Sequence, residues 1–101
     1  MSIQLALFAR IEAKPGKEAE VEALLKAALS MANDEPTTPI WFALKLSPST
    51  FGVFDAFHDE AGRQRHLSGP IAQALMAQGP ELFAQPPSIE PIEVLGLKNR
   101  A

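Results

Sequence analysis

The sequence predicts an α+β domain: four antiparallel strands with helices packed on one face. Three observations carry this prediction. Four segments, 3–13, 40–46, 50–58 and 89–97, alternate with the period of two that a strand requires. The segment 17–32 instead repeats its apolar residues at helical spacing, and a second helical region fills 59–84. The order is therefore β-α-β-β-α-β, the ferredoxin-like plan.

Each element follows from its residues. In 3–13, Ile3, Leu5, Leu7, Ala9 and Ile11 share one face; Gln4, Ala6, Phe8, Arg10 and Glu12 share the other. Lys14, Pro15 and Gly16 form the turn. The helix over 17–32 lines up Val21, Leu24, Leu25, Ala28 and Leu29 and turns Glu18, Glu22 and Lys26 to water. Its early glutamates suit a helix N-terminus. A loop rich in Pro and Thr follows, over 33–39. In the strand over 40–46, Trp41, Ala43 and Lys45 oppose Ile40, Phe42, Leu44 and Leu46. Ser47, Pro48 and Ser49 make a hairpin connection. In the strand over 50–58, Phe51, Val53, Asp55 and Phe57 alternate with Gly52, Phe54, Ala56 and His58.

Asp59 caps a short helix that ends at Leu67. Gly69 and Pro70 interrupt it. Proline fits a first helical position, so a second helix is predicted over 70–78. A separate turn over 81–84 precedes Pro86 and Pro87, which close the helical region. Pro91 lies inside the last strand and assigns it to an edge or a bulge.

A chain of 101 residues predicts one domain spanning its whole length. An apolar fraction of 47% excludes a disordered tail. No run is long enough to span a membrane, and no signal peptide is expected. The chain has no cysteine, which removes disulfides and thiolate zinc sites and makes a reducing cytoplasm the expected location. The net charge is -3, with nine basic residues scattered among twelve acidic ones; nucleic acid is not an expected partner. Two histidines without a dense acidic cluster leave no permanent metal site. The expected ligand is small and apolar.

Helices can cover only one face of the sheet. Yet the two middle segments carry large apolar residues on both faces, Phe42 and Phe54 opposite Trp41, Phe51 and Phe57. An uncovered face of that kind predicts a homodimer joined through the sheets.

Chemistry-bearing residues concentrate in Phe54-Asp55-Ala56-Phe57-His58 and the helix that delivers His66. The run Phe51-Gly52-Val53-Phe54-Asp55-Ala56-Phe57-His58-Asp59-Glu60-Ala61, continuing to His66-Leu67, resembles the antibiotic biosynthesis monooxygenase family. So do Phe8-Ala9-Arg10-Ile11-Glu12-Ala13-Lys14-Pro15-Gly16-Lys17 and the closing strand. The resemblance covers essentially the whole domain. It implies a dimeric α+β barrel and a quinol monooxygenase-like activity: oxidation of small phenols or anthrones by O₂ with no cofactor, neither flavin nor metal. By the same resemblance His66 holds the family's helix-histidine position. Asp55 stands where glutamate is commoner. Phe57 replaces a tryptophan, and strand one lacks an asparagine used by haem-degrading relatives; these departures argue against haem chemistry.

Two residues are candidates for catalysis. His66 has an imidazole available as a base near neutral pH; the alternative is a histidine that only orders its helix. Asp55 could orient His66 and raise its pKa, or form a structural ion pair with Arg10, Lys45, Arg63 or Arg65. His58 reads as a strand-end rim residue. Trp41, Phe42, Phe54, Phe57, Leu75 and Met76 are candidates for lining a substrate pocket, or else core. Arg63 is a candidate partner for an acidic substrate group, or else a solvated helix residue. Three functions fit this pattern: a cofactor-free monooxygenase, a non-catalytic dimer that binds a small ligand, and a structural or stress-related dimer.

Overall fold

A computed structural model describes residues 2–98. The elements are β1 (Leu5–Glu12), α1 (Glu18–Asn33), β2 (Ile40–Lys45), β3 (Thr50–Phe57), α2 (Glu60–Leu67), α3 (Pro70–Leu82) and β4 (Ser88–Glu93). The strands form one antiparallel sheet in the order β2-β3-β1-β4. This is the βαββαβ plan, with α2 and α3 together filling the place of the second helix. Pro91 lies on β4, an edge strand, where a residue without an N–H is tolerated.

Register defines the two faces. Row by row, the helix-covered face carries Ile11 beside Phe51, Ala9 beside Val53, Leu7 beside Asp55, and Leu5 beside Phe57. Val21 and Leu25 of α1 and Leu82 of α3 pack on Ile11, Phe51 and Val53 to form the main core. Burying each such side chain contributes roughly 1.5–3 kcal/mol. Ala28 and Ala32 of α1 meet Ile71 of α3 in a smaller cluster. On the helix-free face Phe8, Phe54 and Phe42 stand in one row across three strands. Phe42 is 54% exposed there, and the Phe42 and Phe54 rings lie 6.4 Å apart.

Local chemistry explains the boundaries. Gly16 takes φ +84°, a conformation that favours glycine, and turns β1 into α1. Asp59 Oδ1 accepts the Gly62 amide at 2.8 Å and starts α2. Helix α3 runs through Pro80 to Leu82 instead of stopping at Gln78, so the separate turn predicted over 81–84 is absorbed. Leu82 is buried in the core and holds that last turn, and Lys14 Nζ donates to the Pro80 carbonyl at 2.7 Å. Leu29 is half exposed, and Ala32 takes its expected place on the buried stripe of α1. Strand β4 ends at Glu93; the Val94 amide still bonds the Gln4 carbonyl, but Leu95 and Leu97 beyond it are exposed. Among the described residues no helix is long and apolar enough to cross a membrane.

Candidate active site

Strand alternation turns Asp55 onto the helix-covered face, in a row with Leu7 on one side and Trp41 on the other. Its apolar neighbours leave it 2% exposed. A carboxylate so buried needs a partner, and α2 supplies one. Gly62 and His66 lie one turn apart on the same face of α2, which both bury. A Cβ on Gly62 would stand 3.0 Å from the Thr37 carbonyl, so glycine lets α2 approach the loop before β2. One turn further on, His66 then reaches both the sheet and that loop.

The imidazole is held at both nitrogens. His66 Nε2 lies 2.8 Å from Asp55 Oδ2, and Nδ1 lies 2.7 Å from Glu35 Oε1. The Thr38 hydroxyl donates to the same Glu35 oxygen at 2.9 Å. The Phe57 ring, fully buried, packs 5.5 Å from the imidazole. Burial alone would lower the imidazole pKa. The hydrogen bonds and charges of Asp55 and Glu35 outweigh it, and His66 stands above its usual value. Burial raises Asp55, against the opposing hydrogen bond and charge of His66; the Glu35 charge adds to the rise.

An apolar cavity of about 300 Å³ opens beside this pair. Its floor is Leu7, Ala9, Val53 and Asp55 of the sheet. Its walls are His66, Leu67, Ile71, Ala72, Leu75 and Met76, and Pro86, Pro87 and Ile89 close the edge. Asp55 Oδ1 is buried without a partner among the described residues, as are Trp41 Nε1 and Glu35 Oε2. Asp55 Oδ1 is thus a free acceptor on a residue that lines an apolar space. The two carboxylates bind opposite edges of one ring, so their oxygens do not converge. Among the described residues no cluster of three or more His, Asp or Glu is disposed to hold a metal ion.

The structure brings together four of the residues singled out from sequence: Asp55 and His66, with Leu75 and Met76 in the cavity wall. Phe57 backs the imidazole, and Trp41, partly buried, packs against both core clusters. Phe42 and Phe54 belong to the helix-free face, because strand alternation turns them away from Asp55, and they do not line this cavity. Nor does Arg63: its guanidinium pairs with Glu60 and donates to the Ala6 carbonyl. None of the four expected cationic partners meets Asp55; His66 does. His58 Nδ1 bonds the Ser2 carbonyl at the strand end.

Sequence reasoning missed Glu35. A loop acid beside Asp34 reads as solvated, and nothing periodic marks it. The signal available was the Pro36-Thr37-Thr38-Pro39 run, which stiffens the loop and seats Thr38, itself buried, against the carboxylate.

No protein-family model matches the chain, and no curated protein matches it. Solved structures do. The NE2512 protein of unknown function from Nitrosomonas europaea is 58% identical, with 98% of this chain and 96% of that chain covered and a TM-score of 0.95. A protein provisionally named antibiotic biosynthesis monooxygenase, also from Nitrosomonas europaea, superposes with a TM-score of 0.81 at 13% identity, over 91% of this chain and 99% of that one. Another with that provisional name, from Deinococcus radiodurans, gives a TM-score of 0.77 at 17% identity, over 96% and 98%. At such identities these two show a shared fold. The chain belongs to one family with the NE2512 protein, a family with the antibiotic biosynthesis monooxygenase-like fold.

Proposed function

We propose that the protein is a cofactor-independent monooxygenase that oxidises a small aromatic, quinol or anthrone-type substrate with O₂. The observation that carries this reading is the apolar cavity walled by one buried carboxylate–imidazole pair. A space of this kind favours an uncharged, mostly apolar ligand, and Asp55 Oδ1 offers it a single proton acceptor. The likeness in fold to proteins provisionally named monooxygenases supports the reaction type.

In this reading Asp55 takes the proton of a phenolic O–H or an activated C–H. His66, its Nε2 held on Oδ2, fixes the carboxyl so that Oδ1 meets the ligand. A base placed in this way contributes roughly 10²–10⁴-fold. The resulting anion passes an electron to O₂, and the two radicals join in a C–O bond. For a methylene carbon the balance is R₂CH₂ + O₂ → R₂C=O + H₂O. One oxygen atom enters the product and the other leaves as water. The substrate supplies all four electrons, so no external reductant is required.

The reading includes a homodimer that covers the row of Phe8, Phe54 and Phe42, and a cytoplasmic location, where a cysteine-free chain loses nothing to reduction. A second reading, ligand binding without turnover, draws on the fact that both His66 nitrogens are already engaged.

The test is O₂ uptake with a panel of quinols and anthrones, wild type beside Asp55→Asn and His66→Ala, with ¹⁸O₂ as tracer. The proposal expects one O₂ consumed per product, one labelled atom in the product, and loss of uptake in both folded variants. Saturable binding without uptake would move the protein to the second reading. Uptake unchanged in Asp55→Asn would remove Asp55 as the base.

A further inference from the structure

His66 separates two spaces. On one side is the apolar cavity. On the other is an outer cleft of about 290 Å³, lined by Glu35 with Met31, Asp34, Arg65 and Pro70 among others. Among the described residues His66 is the one that lines both. Asp55 faces the inner space and Glu35 the outer one, and a short hydrogen bond joins each to the ring. Glu35 also approaches the start of α3: its Oε2 would lie 3.5 Å from a Cβ on Gly69.

The geometry points to a proton path from the inner cavity through Asp55 and His66 to Glu35. This inference rests on the proposed function, which needs a proton removed inside the cavity, and it adds Glu35 as the group that finally receives it. Two short bonds join three groups, and two protons fill them. With those protons on Asp55 Oδ2 and His66 Nδ1, Glu35 is the carboxylate. The ligand's proton then moves to Asp55 Oδ1 as the Oδ2 proton passes to Nε2 and the Nδ1 proton passes to Glu35 Oε1. Asp55 and His66 each give one proton and take one, so the net change is one proton lost by the ligand and one gained by Glu35. No ring turns. When the reduced oxygen needs a proton, the same shifts run backward and restore the first state. An imidazole suits this task because one nitrogen accepts while the other donates. Arg65 and Asp34 are the other charged groups lining the outer cleft.

The path can be read without oxygen chemistry. The probe is 4-nitrophenol, whose ionised form is coloured. Bound to wild type without O₂, it is expected to ionise, and infrared difference spectra on protein carrying ¹³C-labelled glutamate should show a newly protonated carboxyl. In Glu35→Gln that band disappears and the ionised fraction of bound probe falls by at least about tenfold, or about 1.4 kcal/mol. Glu35→Asp restores part of the ionised fraction, and the carboxyl band then appears on protein carrying ¹³C-labelled aspartate instead. A Glu35 that acts only through its charge predicts the opposite: removing a negative charge favours the phenolate. A bound probe that ionises as fully or more fully in Glu35→Gln therefore overturns the path, as does a wild-type complex with no protonated glutamate. Should Glu35→Gln fail to fold, Asp55→Asn blocks the inner end and must also abolish the glutamate band; a surviving band sinks the proposal. Failure of 4-nitrophenol to bind would remove the cavity's role and the path with it. Proton transfer intact but no O₂ uptake with any substrate would sink the oxygenase reading alone.

Discussion

Replacing His66 with Gln and Asp55 with Asn together should abolish a pH dependence that wild-type stability otherwise carries. The imidazole pKa is raised in the folded protein, after its carboxylate partners outweigh burial. Its contribution is therefore fully present below the unfolded value of about 6.5 and is lost as pH rises through the folded value. Asp55, raised by burial, acts with the same sign: above about pH 3.8 the unfolded chain releases a proton that the folded chain keeps. Wild-type stability should thus decline as pH rises, the Asp55 contribution from about pH 3.8 and the imidazole contribution from about pH 6.5. Where the folded imidazole is charged and the unfolded one neutral, the slope approaches about 1.4 kcal/mol per pH unit. For a domain of this size that is roughly 4–8 °C in Tm for each kcal/mol. The neutral pair keeps hydrogen-bonding side chains but has no proton to exchange, and its stability should be flat over the same window. Urea denaturation from pH 6 to 9 at fixed protomer concentration reads both curves, since an oligomer's stability depends on concentration. Parallel slopes in the two proteins, or wild-type stability that rises with pH, would refute the assignment of charge to the Asp55–His66–Glu35 unit.

Other expectations follow from single contacts. Phe57→Ala empties a fully buried site against the imidazole and should cost about 3–5 kcal/mol; a loss below 1 kcal/mol in urea midpoints would show that the site collapses or was never tightly packed. Asp59→Ala removes the cap of α2 and should cost about 1 kcal/mol, read in the same assay, with Asp59→Asn close to wild type. Phe42→Glu puts a charge into the exposed aromatic row and should convert the proposed dimer to monomer in sedimentation equilibrium; a dimer that persists would place the interface elsewhere.

The sequence displayed the sheet well because both faces of β3 and β1 obey strict alternation. Phe51, Val53, Asp55 and Phe57 could be assigned to one face before any contact was known. It displayed Asp55 and His66 because a carboxylate among apolar strand residues and a histidine on a helix with few buried residues are each out of place. Pro91 gave the edge. The end of α3 was hidden, since the burial of Leu82, which carries the helix past Gln78, is a tertiary fact. Leu29 was misplaced for the same reason: the apolar stripe of α1 follows its contacts with α3 and drifts toward Ala32. Phe42 and Phe54 were offered to the pocket although alternation puts Phe54 opposite Asp55; their chemistry outweighed their parity. Glu35 was out of reach because a loop has no period, and only the close approach at Gly62 brings it to the ring.

Three segments far apart in the chain contribute Glu35, Asp55 and His66, and this limits how the sequence can change. Losing Asp55 or Glu35 strips the buried imidazole of one of its two partners, and losing His66 leaves Asp55 buried with none; breaking a buried pair typically costs about 3–5 kcal/mol. That is a large part of what a small domain has to spare. Exchanging all three for apolar residues of similar volume avoids the isolated charge and is often neutral or stabilising. The three positions are therefore epistatic: intermediates on the route are poorer than either end, and a double-mutant cycle between any adjacent two should be strongly non-additive. A variant that makes the full exchange and melts higher would separate what the fold requires from what the chemistry requires.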